Sequence, residues 1–278
     1  RAAERVSRTM DLTPIPVSGN DELARLTESF NTMLGALATS RDRQARLVAD
    51  AGHELRTPLT SLRTNLELLM AASEPGAPAM PVQDMVELRS DVMAQIEELS
   101  TLVGDLVDLA REDAPEVVYE EVDLVVIIEH ALERVRRRRS DVEFQTNLTP
   151  WFVFGEEHGL SRAVLNVLDN AAKWSPRGRA VIVELNQVGI STAELTVADA
   201  GPGIPVEDRE LVFERFYRST QSRSMPGSGL GLAIVRQVLM RHGGSVSAEQ
   251  SDLGGALIRM TLPGRATPAE PSPQVVRQ

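Results

Sequence analysis

The sequence predicts a multidomain protein in which an all-α helical hairpin precedes an α/β (α+β) sandwich. The first observation is a series of apolar stripes with helical spacing between residues 23 and 110. The second is the stretch 73–81, where three prolines in nine residues separate two of these stripes. The third is the change after residue 115 to short β-rich runs that alternate with helical patterns.

The apolar positions in the first part of the chain alternate spacings of three and four residues, which predicts long helices packed side by side. These positions are Leu23, Leu26, Phe30, Met33 and Leu37; Val48, Gly52, Leu55, Leu59, Leu62, Leu66 and Leu69; and Leu88, Val92, Ile96, Leu99, Val103, Leu106 and Ala110. Because two helices alone cannot enclose such seams, we expect a homodimer whose two hairpins form a four-helix bundle.

The second part of the chain reads as alternating strands and helices. The predicted strands are 142–146, 151–154, 181–185, 194–198, 245–249 and 256–262. The predicted helices are 124–138, 157–174, 207–213 and 230–242. Beyond Pro263 the chain is rich in proline, and we expect a disordered tail.

Composition narrows the range of functions. The net charge of −11 argues against a nucleic-acid partner, since binding to a phosphate backbone depends on excess Lys and Arg. The chain has no cysteines, which excludes disulfides and thiolate metal sites. The longest aliphatic stretch, 122–128, is far shorter than the roughly 20 residues that cross a bilayer. Because the chain begins at Arg1, we expect any membrane segments of the parent protein to precede it.

One face of the predicted helix 157–174 is polar. Asn166, Asn170 and Lys173 fall within about 60° of one another, opposite an apolar face. Amide oxygens suit a hard cation and an ammonium suits phosphate, although a solvated helix face is the alternative. Lys173 is the only lysine among 29 basic residues, which favours a position that requires a compact point charge.

Asp199 follows a predicted strand, so its carboxylate is expected at the strand end. There it can accept a hydrogen bond from an exocyclic amine such as that of adenine. Gly201 and Gly203 allow the backbone to approach a base closely. Taken alone, the pattern also fits an ordinary turn.

Gly227, Gly229 and Gly231 precede an amphipathic helix, an arrangement that directs free N–H groups towards phosphates. Neither a Walker A loop nor a Rossmann fingerprint is present. The polar residues between Phe216 and Gly227 read as a lid over the nucleotide, and Arg215 and Arg218 are candidate phosphate contacts.

His53 lies within the second apolar stripe, next to Glu54. Glu54 can accept the Nδ1 proton, which leaves the Nε2 lone pair free to attack a γ-phosphate. Thr57 is four residues on and shares the helix face of His53. An isolated helical histidine is more often an ordinary surface residue, so the assignment depends on the other motifs.

Taken together, these residues resemble the part of a bacterial two-component sensor histidine kinase that follows its membrane segments. Five family motifs occur in order: the H box at 53–59, the N box at 166–173, the G1 box at 199–203, the F box at 213–216 and the G2 box at 227–231. Residues 11–33 are similar to the second half of a HAMP signal-relay module. Two positions depart from the family pattern, because Trp174 stands where Tyr or Phe is usual and Ala200 where Asn is common.

The resemblance implies a role for each site residue. His53 would be the phosphorylated residue, Glu54 the acid/base, and Thr57 the residue that places water for dephosphorylation of the partner. Asn170 and Asn166 would bind Mg²⁺, Lys173 phosphate and Asp199 adenine, so ATP and Mg²⁺ are the implied cofactors. The partners would be a second copy of the chain and the receiver domain of a response regulator.

The resemblance also implies four segments. They are a partial HAMP module (1–44), a dimerisation and phosphotransfer hairpin (45–114), a Bergerat-type (GHKL) ATP-binding domain (115–264) and the tail (265–278). We expect the parent protein at the cytoplasmic side of the cell membrane and this fragment to be soluble. Two alternatives stay open: another ATPase with the same nucleotide fold, and a scaffold that binds nucleotide without turnover.

Overall fold

The computed structural model describes residues 12–17, 19, 21–73, 81–110, 118–219, 225 and 227–268. The chain divides into two compact units, Arg1–Ile96 and Glu97–Gln278. Several predictions lie wholly or partly outside the described residues. They concern the start of the HAMP segment, the centre of the proline-rich loop, the charged break after residue 110, most of the lid and the end of the tail.

The first unit contains one long helix and the start of a second. Helix α1, Glu22–Ala72, runs without interruption for 51 residues through both predicted N-terminal stripes. It begins at Asp21, whose side chain accepts a hydrogen bond from the Ala24 N–H at 3.0 Å and thereby satisfies a free donor of the first turn. The two stripes therefore belong to one continuous helix.

Helix α2, Val82–Ala110, is the second arm of the predicted hairpin. Within the first unit its Gln95 donates a hydrogen bond to Ser61 of α1 at 2.8 Å and accepts one from Asn65 at 3.4 Å. None of the described helices combines the length and the apolar character that a bilayer-spanning segment needs.

The apolar seam of α1 remains exposed in the single chain. Val48 is 67% exposed, Leu59 52% and Leu66 43%. Such side chains on one face of a long helix are characteristic of a surface that packs against further helices.

The described part of the second unit has seven strands, of which five form the main sheet. Its strands are β1 Glu120–Asp123, β2 Glu143–Leu148, β3 Phe152–Gly155, β4 Ala180–Gln187, β5 Thr192–Ala198, β6 Ser245–Gln250 and β7 Ala256–Pro263. The main sheet has the order β2-β4-β5-β7-β6; β2 and β4 are parallel and the other neighbours antiparallel. Strands β1 and β3 form a separate antiparallel pair.

Three helices complete the sandwich: α3 Leu124–Arg138, α4 Glu157–Trp174 and α5 Gly231–Arg241. Alternate residues of β4, such as Val181 and Val183, are fully buried, as is Leu168 of α4. This alternation is that of a sheet with one face against the core, and it confirms the predicted α/β sandwich.

Two sequence predictions need correction. The predicted helix 207–213 is wrong, because the structure has two short 3₁₀ turns, Val206–Asp208 and Leu211–Phe213. Seven residues are too few to offset the cost of helix nucleation without strong packing. Strand β1 was not predicted, because among its four residues only Val122 is buried and no alternation is visible.

Candidate nucleotide-binding site

A cavity of about 320 Å³ opens in the second unit, at the edge of α4. Its walls come from α4, the turn after β5, the segment before α5 and the final turns of α2. The predicted site residues on these walls are Asn166, Asn170, Lys173, Asp199, Gly203, Arg218, Gly227, Gly229 and Gly231. Residues more than 60 positions apart in sequence thus line one cavity of ligand size.

The polar face of α4 faces this cavity because the opposite face is held in the core. Val164 and Val167 are 4% and 1% exposed, which fixes the rotation of the helix. The Asn166 side-chain amide donates to the Gly231 carbonyl at 3.2 Å, and this contact ties α4 to the start of α5. Asn166 Oδ1 therefore retains its acceptor capacity.

Asp199 lies at the end of β5 and is 4% exposed. Its Oδ1 accepts hydrogen bonds from the N–H groups of Gly201 at 2.8 Å and Ala256 at 3.0 Å. Burial raises the pKa of this carboxyl, and the two backbone donors partly oppose the shift. Both donors act on one oxygen, so the second oxygen retains acceptor capacity at the cavity wall.

Close backbone approach at this carboxylate requires glycine. A Cβ at Gly255 would lie 2.1 Å from Asp199 Oδ1 and 2.5 Å from the Gly201 nitrogen.

Gly229, with a φ of +72°, accepts a hydrogen bond from the Phe216 N–H at 3.1 Å. Phe216 itself has a φ of 62°, uncommon for a residue with a side chain.

Lys173 is the cationic group of the site. Burial lowers the pKa of its ammonium, Arg218 lowers it further, and Glu98 opposes the shift. A Cβ at Gly227 would lie 3.1 Å from Lys173 Nζ, so the glycine loop passes directly beside the charge. An ammonium beside a glycine loop that leads into a helix N-terminus is suited to a phosphate chain.

The final turns of α2 contribute two acidic side chains to the site, which the sequence patterns did not predict. Asp105, which is 3% exposed, accepts hydrogen bonds from Arg162 at 2.5 Å and from the Ser228 hydroxyl at 3.0 Å. Glu98 Oε1 accepts one from the Gly227 N–H at 2.9 Å. The only local signal was a pair of acids within the third apolar stripe, and such acids usually belong to a solvated helix face.

Several predicted residues lie outside the cavity walls. Gly201 donates to Asp199 but does not line the cavity, and Arg215 does not line it either. Arg218 lines it and donates to the Met225 carbonyl. His53, Glu54 and Thr57 are exposed on α1 in the first unit.

The donor set of the cavity fits a hard cation that is shared with phosphates. Amide oxygens of Asn166 and Asn170 are acceptable ligands for Mg²⁺, which is commonly held by one or two protein oxygens together with phosphate and water. Within the described ranges no group of three or more His, Asp or Glu is arranged to hold a metal alone.

The α/β sandwich that holds the cavity belongs to a described class of ATPase domains. Residues 155–266 match the sequence model of the family described as "Histidine kinase-, DNA gyrase B-, and HSP90-like ATPase". Residues 43–115 match the "His Kinase A (phospho-acceptor) domain" and residues 1–39 match the "HAMP domain".

This combination of three domains identifies the chain as a member of the two-component sensor histidine kinases. It is 66% identical over 271 residues to "Signal transduction histidine-protein kinase/phosphatase MprB" of Mycobacterium avium, which covers 96% of this chain and 52% of the relative. The protein of the same name from Mycolicibacterium vanbaalenii is 64% identical, with 97% of this chain and 56% of the relative covered. The chain thus spans about half the length of these relatives.

Solved structures agree with the fold. The structure described as "Mycobacterial sensor histidine kinase MprB" is 55% identical, with a TM-score of 0.50 over 53% of this chain and 99% of that chain. The Acinetobacter baumannii histidine kinase AdeS has a TM-score of 0.58 over 76% of this chain and 97% of that chain, at 24% identity. The second similarity concerns the fold alone.

Proposed function

We propose that this chain is the kinase part of a sensor protein that uses Mg·ATP to phosphorylate His53. The phosphoryl group then passes to an aspartate in the receiver domain of a response regulator. The proposal is carried by one observation: a cavity that combines the polar face of α4, buried Asp199 and a glycine loop occurs in the same chain as an exposed histidine followed by Glu54.

Nucleotide binding is assigned to the residues of the cavity. Asp199 is proposed to accept a hydrogen bond from the adenine amine, since both backbone donors act on Oδ1 and Oδ2 is left to accept. Lys173 and the N–H groups of the segment 227–231 are proposed to bind the phosphates, with Arg218 of the lid and Arg215, which precedes the lid, as further contacts. Gly201 and Gly203 shape the turn that receives the base.

Divalent cation binding is assigned to Asn170 and Asn166. When bound, Mg²⁺ would supply charge neutralisation at the β- and γ-phosphate oxygens. The amides orient the phosphate chain, and the apolar side chains of Ile204 and Val212 exclude water from the base end of the cavity.

The chemical step moves the γ-phosphoryl group from an oxygen of ATP to a ring nitrogen of His53. His53 Nε2 forms a bond to the γ-phosphorus as the bond from that phosphorus to the β–γ bridging oxygen breaks, and ADP leaves with the electron pair. Glu54 accepts the Nδ1 proton, so the phosphorylated ring ends neutral. Thr57 is proposed to position a water molecule for a second activity, the hydrolysis of the phosphorylated regulator.

The MprB relatives are named as histidine-protein kinase/phosphatases, and this name supports a phosphatase function for this chain as well. We further propose that the protein acts as a homodimer through the exposed seam of α1, and that the parent protein is held at the membrane by segments outside this chain. The HAMP match over residues 1–39 supports a role in relaying a signal to the hairpin.

Incubation of the chain with γ-labelled ATP and Mg²⁺ tests the proposal. We expect one acid-labile, alkali-stable phosphate per chain, lost completely in His53→Gln. His130→Gln is the matched control, because His130 is another exposed helical histidine, on α3. Label retained in His53→Gln contradicts the acceptor, and undiminished ATP binding by Asp199→Asn contradicts the adenine contact.

A further inference from the structure

Trp174, the last residue of α4, contacts two proposed ligand-binding residues at once. Its indole Nε1–H donates a hydrogen bond to Asn170 Oδ1 at 3.1 Å. The Lys173 ammonium lies 5.3 Å from the centroid of a Trp174 ring, within the range of a cation–π contact. The side chain also forms part of the cavity wall.

We infer that Trp174 is a positioning residue for the divalent cation: its indole N–H fixes the Asn170 carboxamide so that the oxygen faces the metal. The inference rests on the proposed function, in which Asn170 binds Mg²⁺. It adds a residue to which neither the motifs nor the comparisons assign a role.

The two ends of the Asn170 carboxamide differ in their hydrogen-bonding roles. The oxygen accepts hydrogen bonds and the NH₂ group donates them, yet both ends have nearly the same shape. An indole N–H is a donor only, so its partner must be the oxygen. A carbonyl oxygen has two lone pairs; the indole engages one and leaves the other for a cation. Without the indole, the carboxamide can turn through 180° and present its NH₂ group, which repels a cation.

The indole itself is held in place by the backbone around it. Asn170 and Trp174 are four residues apart on one helix face, where side chains meet. The Ser175 hydroxyl accepts a hydrogen bond from the Ala200 N–H at 3.3 Å. A Cβ at Gly201 would lie 2.9 Å from the Trp174 carbonyl oxygen, so the turn after β5 packs directly on this residue.

Tryptophan at this position departs from the family pattern, in which Tyr or Phe is usual. A phenylalanine ring has no donor, and the hydroxyl of a tyrosine lies at the far end of its ring, away from the side where an indole N–H projects. The proposed role therefore depends on the residue that this chain carries.

The decisive experiment compares the unmodified 278-residue chain with Trp174→Phe. Calorimetric titration with a non-hydrolysable ATP analogue is repeated over a series of free Mg²⁺ concentrations. Loss of one hydrogen bond is expected to raise the Mg²⁺ concentration for half-maximal effect roughly three- to tenfold. Affinity measured in a chelator, without divalent cation, is expected to stay unchanged because phenylalanine keeps a ring beside Lys173.

Trp151→Phe is the matched control. Trp151 is the other tryptophan of the chain, is 1% exposed, and its Nε1 has no hydrogen-bond partner among the described residues. This substitution removes an indole without removing a hydrogen bond, so the Mg²⁺ dependence should equal that of the unmodified chain.

Three results of the main comparison overturn the inference: an unchanged Mg²⁺ requirement, a tighter one, or equal weakening with and without Mg²⁺, which indicates packing alone. Asn170→Ala separates this failure from failure of the proposed function. If that variant keeps the normal Mg²⁺ dependence, the metal assignment is wrong and the inference falls with it. If it loses the dependence while Trp174→Phe behaves normally, only the role of Trp174 is wrong.

A measurement on the unmodified chain does not depend on the folding of any variant. The ¹H–¹⁵N indole resonance of Trp174, distinguished from that of Trp151, should move when Mg²⁺ is added to the nucleotide complex. A resonance that stays fixed through this addition contradicts the contact between the indole and a metal ligand.

Discussion

Asp199 and Lys173 are ionisable groups that the fold places where burial disfavours their charged forms. The folded pKa of Asp199 is raised, so any stability from this group is present below its unfolded value of 3.8 and is lost as pH rises through the folded pKa. The folded pKa of Lys173 is lowered, so any stability from this group is complete above its unfolded value of 10.5 and is lost as pH falls through the folded pKa. Near neutral pH neither charge stabilises the free protein, which supports a role in binding a ligand.

These directions predict how nucleotide affinity depends on pH. Binding should weaken on the acid side as Asp199 is protonated, at a pH above the ordinary carboxyl value, because the carboxylate is the proposed acceptor. It should weaken on the alkaline side as Lys173 loses its proton, at a pH below the ordinary ammonium value. Calorimetric titration from acid to alkaline pH measures both limbs.

Lys173→Arg isolates the alkaline limb. Because arginine stays protonated throughout the range, this limb should disappear while the acid limb remains. Subtracting the two profiles cancels the titration of the nucleotide itself. An alkaline limb that persists unchanged in the variant would show that another group is responsible.

Sequence patterns at this scale predicted individual residues when the signal was local. Asn166, Asn170 and Lys173 were predicted because helical periodicity fixes one face from sequence alone, and their places on the cavity wall agree. Asp105 and Trp174 were not given roles. Their contacts depend on which segments fold together, and no periodicity within a single element encodes the 57 positions that separate Asp105 from Arg162.

At the scale of elements, the final turns of α2 bring negative charge to the glycine loop. Glu98 occupies the Gly227 N–H, and it acts electrostatically on Lys173. The proposed phosphate site uses the same donor and the same cation. The carboxylate of Glu98 would therefore compete with the nucleotide for both groups.

We predict that Glu98→Gln binds ATP more tightly than the unmodified chain. Removing one unit charge within a few ångströms of the phosphates changes the interaction by about 1 kcal/mol in a solvent-exposed setting, or roughly fivefold in affinity. The amide keeps the size of the side chain and can still accept from Gly227. Titration with ATP at fixed ionic strength measures the change.

Glu97→Gln is the matched control, since Glu97 is the neighbouring acid of the same helix and is exposed. It removes the same net charge and should leave affinity unchanged. Equal gains in both variants would indicate a general charge effect, and no gain in Glu98→Gln would contradict the competition.

The order of elements in the second unit was predictable for a related reason. Strands β4, β5 and β7 alternate buried and less buried residues, a period visible in sequence. The pairing order β2-β4-β5-β7-β6 was not predictable, because two of its pairs, β2 with β4 and β5 with β7, join strands that are not consecutive in sequence. The pair β1–β3 was missed because β1 shows no alternation in sequence.

For the whole molecule, the arrangement of residues on α1 bears on the proposed association of two copies. Ser61 and Asn65 contact Gln95 of α2, so their face is the one used within the hairpin. Leu66 follows Asn65 by one position, about 100° further around the helix. It remains 43% exposed and Leu59 remains 52% exposed, whereas Leu62 is only partly exposed. The exposed edge of the leucine seam is therefore available to a second chain.

We predict that Leu66→Glu converts a dimer to a monomer. A carboxylate in an apolar seam must be either buried without a partner or protonated, and each costs several kcal/mol when counted over two symmetric copies. Thr64→Glu is the matched control: Thr64 is exposed on the same helix, roughly 160° from Leu66, so the added charge stays in solvent. Sedimentation equilibrium over a range of chain concentrations should give a dimer for the unmodified chain and for Thr64→Glu, and a monomer for Leu66→Glu. A monomeric unmodified chain, or a Leu66→Glu variant that dimerises as tightly, would show that this seam is not the interface.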